Sequence, residues 1–255
     1  MTNNTTEENK PKHKLRFKCF SDIHWKSLSF IETYIKTATE DPDLDAVFIC
    51  GDCGLFDDTV TNDAIDAIKE KWPSAKIFYV PGNHDQIYDD AEIFPFKCRN
   101  IDVLLMGDGA EPYVLKDVFK IYGFRYWECD QPYHINRLAR NGMCTPEEMK
   151  EKVKIIPDGI DILLTHTPAE VLDSTRGVMN MHFGSHQLQL KLEDMASRGQ
   201  QPKYHIFGHI HGSGGNSITT PETNITSINC AVLNEGYNIN PDAVALLSQT
   251  FELEK

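Results

Sequence analysis

The sequence lacks any apolar run approaching the ~20 residues that a membrane span needs, which argues against a membrane partner. Positive charge is also scarce. Lys and Arg number 25 against 38 Asp and Glu, a formal net charge of −13. Such a surface repels duplex nucleic acid and excludes nucleic-acid polymers as expected partners. It does not exclude small phosphates, because a bound metal pair reverses the sign of the field locally. Met1 to Lys14 is polar and has no apolar segment of the secretory type, so the expected localisation is cytoplasmic. Residues 1–14 read as a disordered arm and 15–255 as a single domain, with no repeat and no interior low-complexity linker. The seven cysteines are odd in number and scattered, which suits reduced thiols. Cys50-Gly51-Asp52-Cys53 has C-x-x-C spacing, but no second pair completes a zinc site.

What is present is a soluble composition, 40% hydrophobic over 255 residues, enough to bury a sizeable core. Leu15–Phe20 reads as a first strand, Ser29–Thr39 as a helix and Asp45–Cys50 as a buried strand. An amphipathic helix over Thr61–Trp72 and a strand over Lys76–Val80 follow. This β-α-β-α-β order predicts parallel pairing with right-handed crossovers. Ile101–Met106, Pro112–Leu115 and Val118–Tyr122 read as an antiparallel meander. Thr145-Pro146-Glu147-Glu148 starts a short helix, Ile160–Leu164 is a buried strand, and a helix runs from Ser185 to Ser197. Tyr204–Phe207 is a strand, and Thr226–Ile228 and Ala243–Leu247 read as closing strands. Taken alone, these elements give an α/β (mixed α+β) class.

Five of the strand ends carry polar side chains of a restricted kind. They are Asp22/His24, Asp52, Asn83/His84/Asp85, His166 and His209/His211. Open α/β sheets gather their sites at the carboxyl ends of strands. One such end is ordinary, since Asp and Asn favour turns. Five together point to a site. Imidazole and carboxylate suit manganese, iron, zinc, cobalt or nickel; the set holds no thiolate and too little oxygen for calcium. Seven candidate ligands (Asp22, His24, Asp52, Asn83, His166, His209 and His211) exceed what one ion needs, so two divalent ions sharing a carboxylate fit better.

In order, these residues read Asp22-Ile23-His24, Gly51-Asp52, Gly82-Asn83-His84-Asp85, His166 and Gly208-His209-Ile210-His211. The sequence resembles the calcineurin-like metallophosphoesterases, whose pattern is D-x-H, G-D, G-N-H-[D/E], H and G-H-x-H. The resemblance implies a β-sandwich of two mixed sheets flanked by helices, with the two metals at strand ends. It implies one ion on Asp22, His24, His211 and the bridging Asp52, and a second on Asp52, Asn83, His166 and His209. A metal-bridging hydroxide would attack phosphorus, His84 would protonate the leaving oxygen, and Asp85 would orient His84. Manganese is the expected metal, with iron, zinc, cobalt or nickel as alternatives.

Gly51 to Asp57 lacks the arginine of the Ser/Thr protein phosphatases. The later half, from Asp161 through His211 to Asn234, is similar to the metallophosphoesterase-domain phosphodiesterases. Its vertebrate members have glycine where this chain has His209. The expected reaction is therefore hydrolysis of a small phosphodiester, foremost a 2′,3′- or 3′,5′-cyclic nucleotide. The alternatives are a phosphomonoesterase or protein phosphatase of the same kind, or a protein that sequesters a nucleotide without turnover. Candidate substrate contacts are Arg125, Tyr126, Trp127, Arg176 and His182, with the aromatics stacking a base and the arginines reaching phosphate.

Overall fold

A computed structural model of the chain describes residues 13–53, 58–85, 103–105, 111–128, 142–172 and 183–255. One sheet holds β1 (Lys14–Phe20), β2 (Ala46–Ile49), β3 (Lys76–Tyr79), β4 (Val103–Leu105) and β13 (Phe251–Glu254), in the order β13-β1-β2-β3-β4. β1 to β4 pair in parallel, and β13 closes the edge antiparallel to β1, with Phe17 opposite Phe251. The second sheet holds β5 (Tyr113–Leu115), β6 (Phe119–Phe124), β9 (Ile162–Thr165), β10 (Tyr204–Phe207), β11 (Ser217–Thr220) and β12 (Ile225–Asn229). Its order is β11-β12-β10-β9-β6-β5, with the four central strands parallel and both edges antiparallel. A short parallel pair, β7 (Trp127–Glu128) and β8 (Met143–Cys144), stands apart.

Strand sequences that are apolar on both faces explain the layering. Leu15, Phe17 and Cys19 of β1, Ala46 and Phe48 of β2 and Phe78 of β3 meet Ile121, Ile162, Leu164 and Ile206 between the sheets. The alternate positions Val47, Ile49, Ile77 and Tyr79 point outward under the helices α1 (Ser27–Phe30), α2 (Asp58–Lys71) and α5 (Pro241–Ser248). On the far side, Tyr122 and Leu163 are covered by α3 (Pro146–Lys152) and α4 (His186–Ser197) through Met149, Leu188, Leu192 and Met195. The result is helix, sheet, sheet, helix. Among the described residues no helix is long and apolar enough to cross a membrane.

Three elements differ from the sequence reading. The run around Val103–Leu105 is not part of a meander with β5 and β6. It pairs parallel with β3 and completes the first sheet. Ala243–Leu247 is helix, not strand: Asn240 accepts from the Asp242 amide as N-cap, Pro241 occupies the first turn, and these outweigh the β-like run. The closing strand is instead Phe251–Glu254. The first helix stops short of Thr39. It passes after Phe30 into a π-helical turn, Ile31–Ile35, in which the Lys36 amide donates to the Ile31 carbonyl. That wider turn buries the consecutive residues Tyr34 and Ile35 on one face.

Candidate metal centre

The parallel order brings the carboxyl ends of β1, β2 and β3 to one edge, and those of β9, β10 and β12 to the same edge of the partner sheet. The sheets are joined there: the Ser21 amide donates to the Cys230 carbonyl (2.9 Å), and the Val232 amide to the Ser21 carbonyl (3.1 Å). Every histidine and aspartate nominated as a ligand lies within this seam. Asp22, His24 and His211 form one cluster; Asp52, His166 and His209 form another, the ligand atoms of each within 4.8 Å of one another. Asn83 joins the second, its Oδ1 2.9 Å from His166 Nε2.

The backbone bends hard to achieve this. Asp22, His24, Asp52 and His209 all have positive φ, at 56°, 45°, 53° and 66°. Such conformations cost on the order of 1–3 kcal/mol each and persist where the surroundings over-determine them. Bonds do so here. The Asp22 amide donates to the Gly51 carbonyl, the His24 amide to the Asp52 carbonyl, and the His209 amide to Asp22 Oδ2. Close packing does the rest. A Cβ on Gly82 would lie 2.7 Å from the Asp52 amide nitrogen, and one on Gly208 2.8 Å from Ser21 Cβ.

The protonation pattern follows from the partners. His166 Nδ1 lies 2.7 Å from the Cys50 carbonyl, which can only accept, so Nδ1 carries a proton. His166 Nε2 then faces two oxygens, Asn83 Oδ1 and Asp52 Oδ2 (3.3 Å). His211 Nδ1 likewise donates to the Asn234 carbonyl (3.1 Å), turning Nε2 toward His24 Nε2 (3.2 Å) and Asp22 Oδ1 (3.4 Å). That Asp22 oxygen is buried and has no hydrogen-bond donor. Ring nitrogens turned toward side-chain oxygens in each cluster, with an orphaned carboxylate oxygen in the first, fit a cation in each.

The charges agree. Burial would raise Asp52, but His166 beside it holds the carboxyl well below the usual range. Burial would likewise raise Asp22, and the nearby His211 ring, 3.4 Å from Oδ1, together with the His166 charge holds it down. Burial would lower His166, but the Asp52 carboxylate lifts it to about 10. Burial takes His24 down to about 4, and takes His209 to about 3 with help from the His166 charge. Two firmly ionised carboxylates stand beside the neutral imidazoles of His24 and His209, and with His166 releasing its proton as an ion binds they make a donor set suited to two divalent ions.

His84 stands between the clusters without belonging to either. Its amide donates to Asp52 Oδ1 (2.8 Å), and its half-buried ring meets His24 edge-on at 5.3 Å. Asp85 is buried and accepts from the amides of Gly82, Asp52 and Cys53 and from Tyr79 Oη at 2.7–3.1 Å. These bonds tie the end of β3 to the end of β2, a different task from the orienting of His84 that the resemblance implies. Burial lifts the Asp85 carboxyl to about 6, with the Asp52 charge adding to it.

The nominated substrate contacts fare unevenly. Arg125, Tyr126 and Trp127 follow β6, whose last residue Phe124 pairs with Thr165, the residue before His166. Tyr126 is engaged by α3: Lys152 Nζ lies 4.4 Å from its ring centroid and 3.3 Å from its hydroxyl. Arg176 and His182 lie outside the described residues. The C-x-x-C is no redox pair, since Cys50 packs between the sheets and Cys53 beneath the helices. Sequence reasoning missed three supports: Ser21, whose hydroxyl donates to Asp22 (2.5 Å), Tyr79 under Asp85, and Asn234 behind His211. All lie outside the metal-ligand motifs; the turn-forming run Asn234-Glu235-Gly236 is a local signal that could have pointed to the last of them. The aromatic pair Trp25 and Tyr237 was missed as well; it stacks at 4.8 Å beside His24.

Comparisons with known proteins agree with this arrangement. The family described as calcineurin-like phosphoesterase matches residues 15–213. The UPF0046 protein T07D4.2 of Caenorhabditis elegans is 24% identical over 92% of this chain, and the chain spans 60% of that protein's length. Metallophosphoesterase domain-containing protein 1 of Homo sapiens is 33% identical over 100 residues, which are 38% of this chain and 28% of that one. Among solved structures, TT1561 of Thermus thermophilus superposes with a TM-score of 0.57 at 14% identity, covering 94% of this chain and 98% of its own. That likeness speaks for the fold.

Proposed function

The chain belongs to the calcineurin-like phosphoesterase family, and from that premise we propose that it hydrolyses a small phosphodiester, foremost a cyclic nucleotide. The observation that carries this reading is His84. It is a histidine free of both ligand clusters, fixed through its amide to Asp52 and set edge-on to His24. A diester leaves as a poor alkoxide and needs a proton delivered at the leaving oxygen, and His84 is the side chain placed to deliver it. Asp22, His24 and His211, with Asp52 shared, would hold one divalent ion, and Asp52, Asn83, His166 and His209 a second. When bound, such a pair activates water and neutralises charge on the phosphoryl group.

The protein's own groups set the geometry. The Cys50 and Asn234 carbonyls fix which imidazole nitrogens face the site. Ser21 and the His209 amide occupy Asp22 Oδ2 and leave Oδ1 free to bind. Asp85 locks the turn that carries Asn83 and His84. A comparison of bis-p-nitrophenyl phosphate with p-nitrophenyl phosphate on manganese-loaded protein tests the reading. A clear diester preference, extended to 2′,3′- or 3′,5′-cyclic nucleotides, is expected. A strong monoester preference would overturn it.

A further inference from the structure

We propose that Trp25 and Tyr237 form a stacking platform for the nucleobase of the ester, on the side of the centre held by Asp22, His24 and His211. The inference rests on the nucleotide-diester reading and adds the residues that recognise the nucleoside. Trp25 directly follows the ligand His24, yet it is 54% exposed. Tryptophan is among the side chains with most to gain from burial. One face of its ring is occupied: Tyr237 stacks on it at 4.8 Å and 29°. Tyr237 in turn presents its ring at a steep angle to both histidines of the cluster, 5.1 Å and 80° from His24, and 5.2 Å and 74° from His211. The platform therefore shares a wall with the imidazoles that would hold the metal. The Trp25 ring centroid is 5.8 Å from that of His24, so a base stacked on Trp25 would sit next to a phosphate held at the ligand clusters.

An independent observation is how Tyr237 is held. Its φ is 55°, a conformation that a bulky side chain adopts only when forced. The turn that forces it is built on Asn234. Asn234 Oδ1 accepts from the amides of Gly236 and Asn238, and its carbonyl accepts from the Tyr237 amide at 2.8 Å. That same carbonyl accepts from His211 Nδ1. One residue thus fixes a ligand histidine and the aromatic beside it, which keeps the platform in register with the metal cluster. Tyr126, one of the two aromatics nominated from sequence, already carries the Lys152 ammonium over its ring.

The test uses full-length, manganese-loaded protein and equilibrium binding by calorimetry. The probes are adenosine 5′-monophosphate and ribose 5-phosphate, which differ only by the base. Wild type is expected to favour the nucleotide about tenfold or more, the scale of base–aromatic stacking. Trp25→Ala should erase that preference while leaving ribose 5-phosphate unchanged, and Trp25→Phe should retain most of it. A preference that survives in Trp25→Ala, or equal weakening of both probes, overturns the platform. Cyclic-nucleotide turnover by wild type separates the two readings. Turnover without any base preference sinks the platform and spares the diester reading. A Trp25-dependent base preference without turnover does the reverse.

Discussion

Asp52 and His84 are joined by a single 2.8 Å hydrogen bond but have separable jobs. Asp52→Asn removes a buried carboxylate charge that both clusters use. It is expected to abolish metal loading and turnover together, read by metal analysis beside an ester assay. His84→Ala leaves the ligand clusters intact and should retain the metal, while turnover of a diester falls by about 10²–10⁴, the usual worth of a positioned acid. Metal loss in His84→Ala would show that it is a ligand after all. Gly82 offers a third contrast. Its value lies in close approach, because any side chain would press on the Asp52 amide and carboxylate. Gly82→Ala should therefore weaken metal binding although no ligand is changed, measured by metal titration. The ligand types were legible from sequence, since Asp, Asn and His at strand ends are few and ordered. The left-handed backbone at Asp22, His24, Asp52 and His209 was not. It is imposed by bonds between strands, which no local pattern encodes.

At the level of elements, β1 and α5 show how a buried charge can close a helix. Lys18 is 1% exposed, and its Nζ lies 3.1 Å and 3.4 Å from the carbonyls of Gln249 and Ser248 at the end of α5. It caps groups that the helix itself cannot satisfy. Lys18→Met keeps the length but strands those carbonyls. A loss of about 1–3 kcal/mol is expected, seen as a lower urea midpoint at unchanged slope. This partnership also explains why the sequence misleads there. Ala243–Leu247 looks like a strand by its residues alone, and what makes it a helix is a cap at one end and a lysine from another strand at the other. The Thr145 box at α3 is contained within four residues, and that helix is legible from sequence. Elements whose signals are local were legible; those completed from a distance, such as β4 beside β3, were not.

For the molecule as a whole, the parallel order of β1, β2 and β3 was readable, while the division into two facing sheets came only from the family resemblance. The apolar layer between them is what makes the edge rigid. Phe48 lies at its middle, 5.1 Å from Phe17 and 5.3 Å from Phe78. Phe48→Ala should cost about 3–5 kcal/mol in chemical denaturation.

The two ligand clusters share one property with a wider consequence. Asp22 and His24 come from the first sheet and His211 from the second; Asp52 comes from the first, His166 and His209 from the second. Each ion would thus act as a rivet through both layers, and occupancy becomes thermodynamically linked to sheet docking. At a free concentration about 100 times the dissociation constant, that linkage is worth about 2.7 kcal/mol. Chelation should lower the melting temperature, and amides flanking the seam near Ser21 and Ala231 should exchange faster than those in the middle of β1 or β10. Metal supply would then govern how much folded protein a cell retains, apart from how fast each molecule turns over.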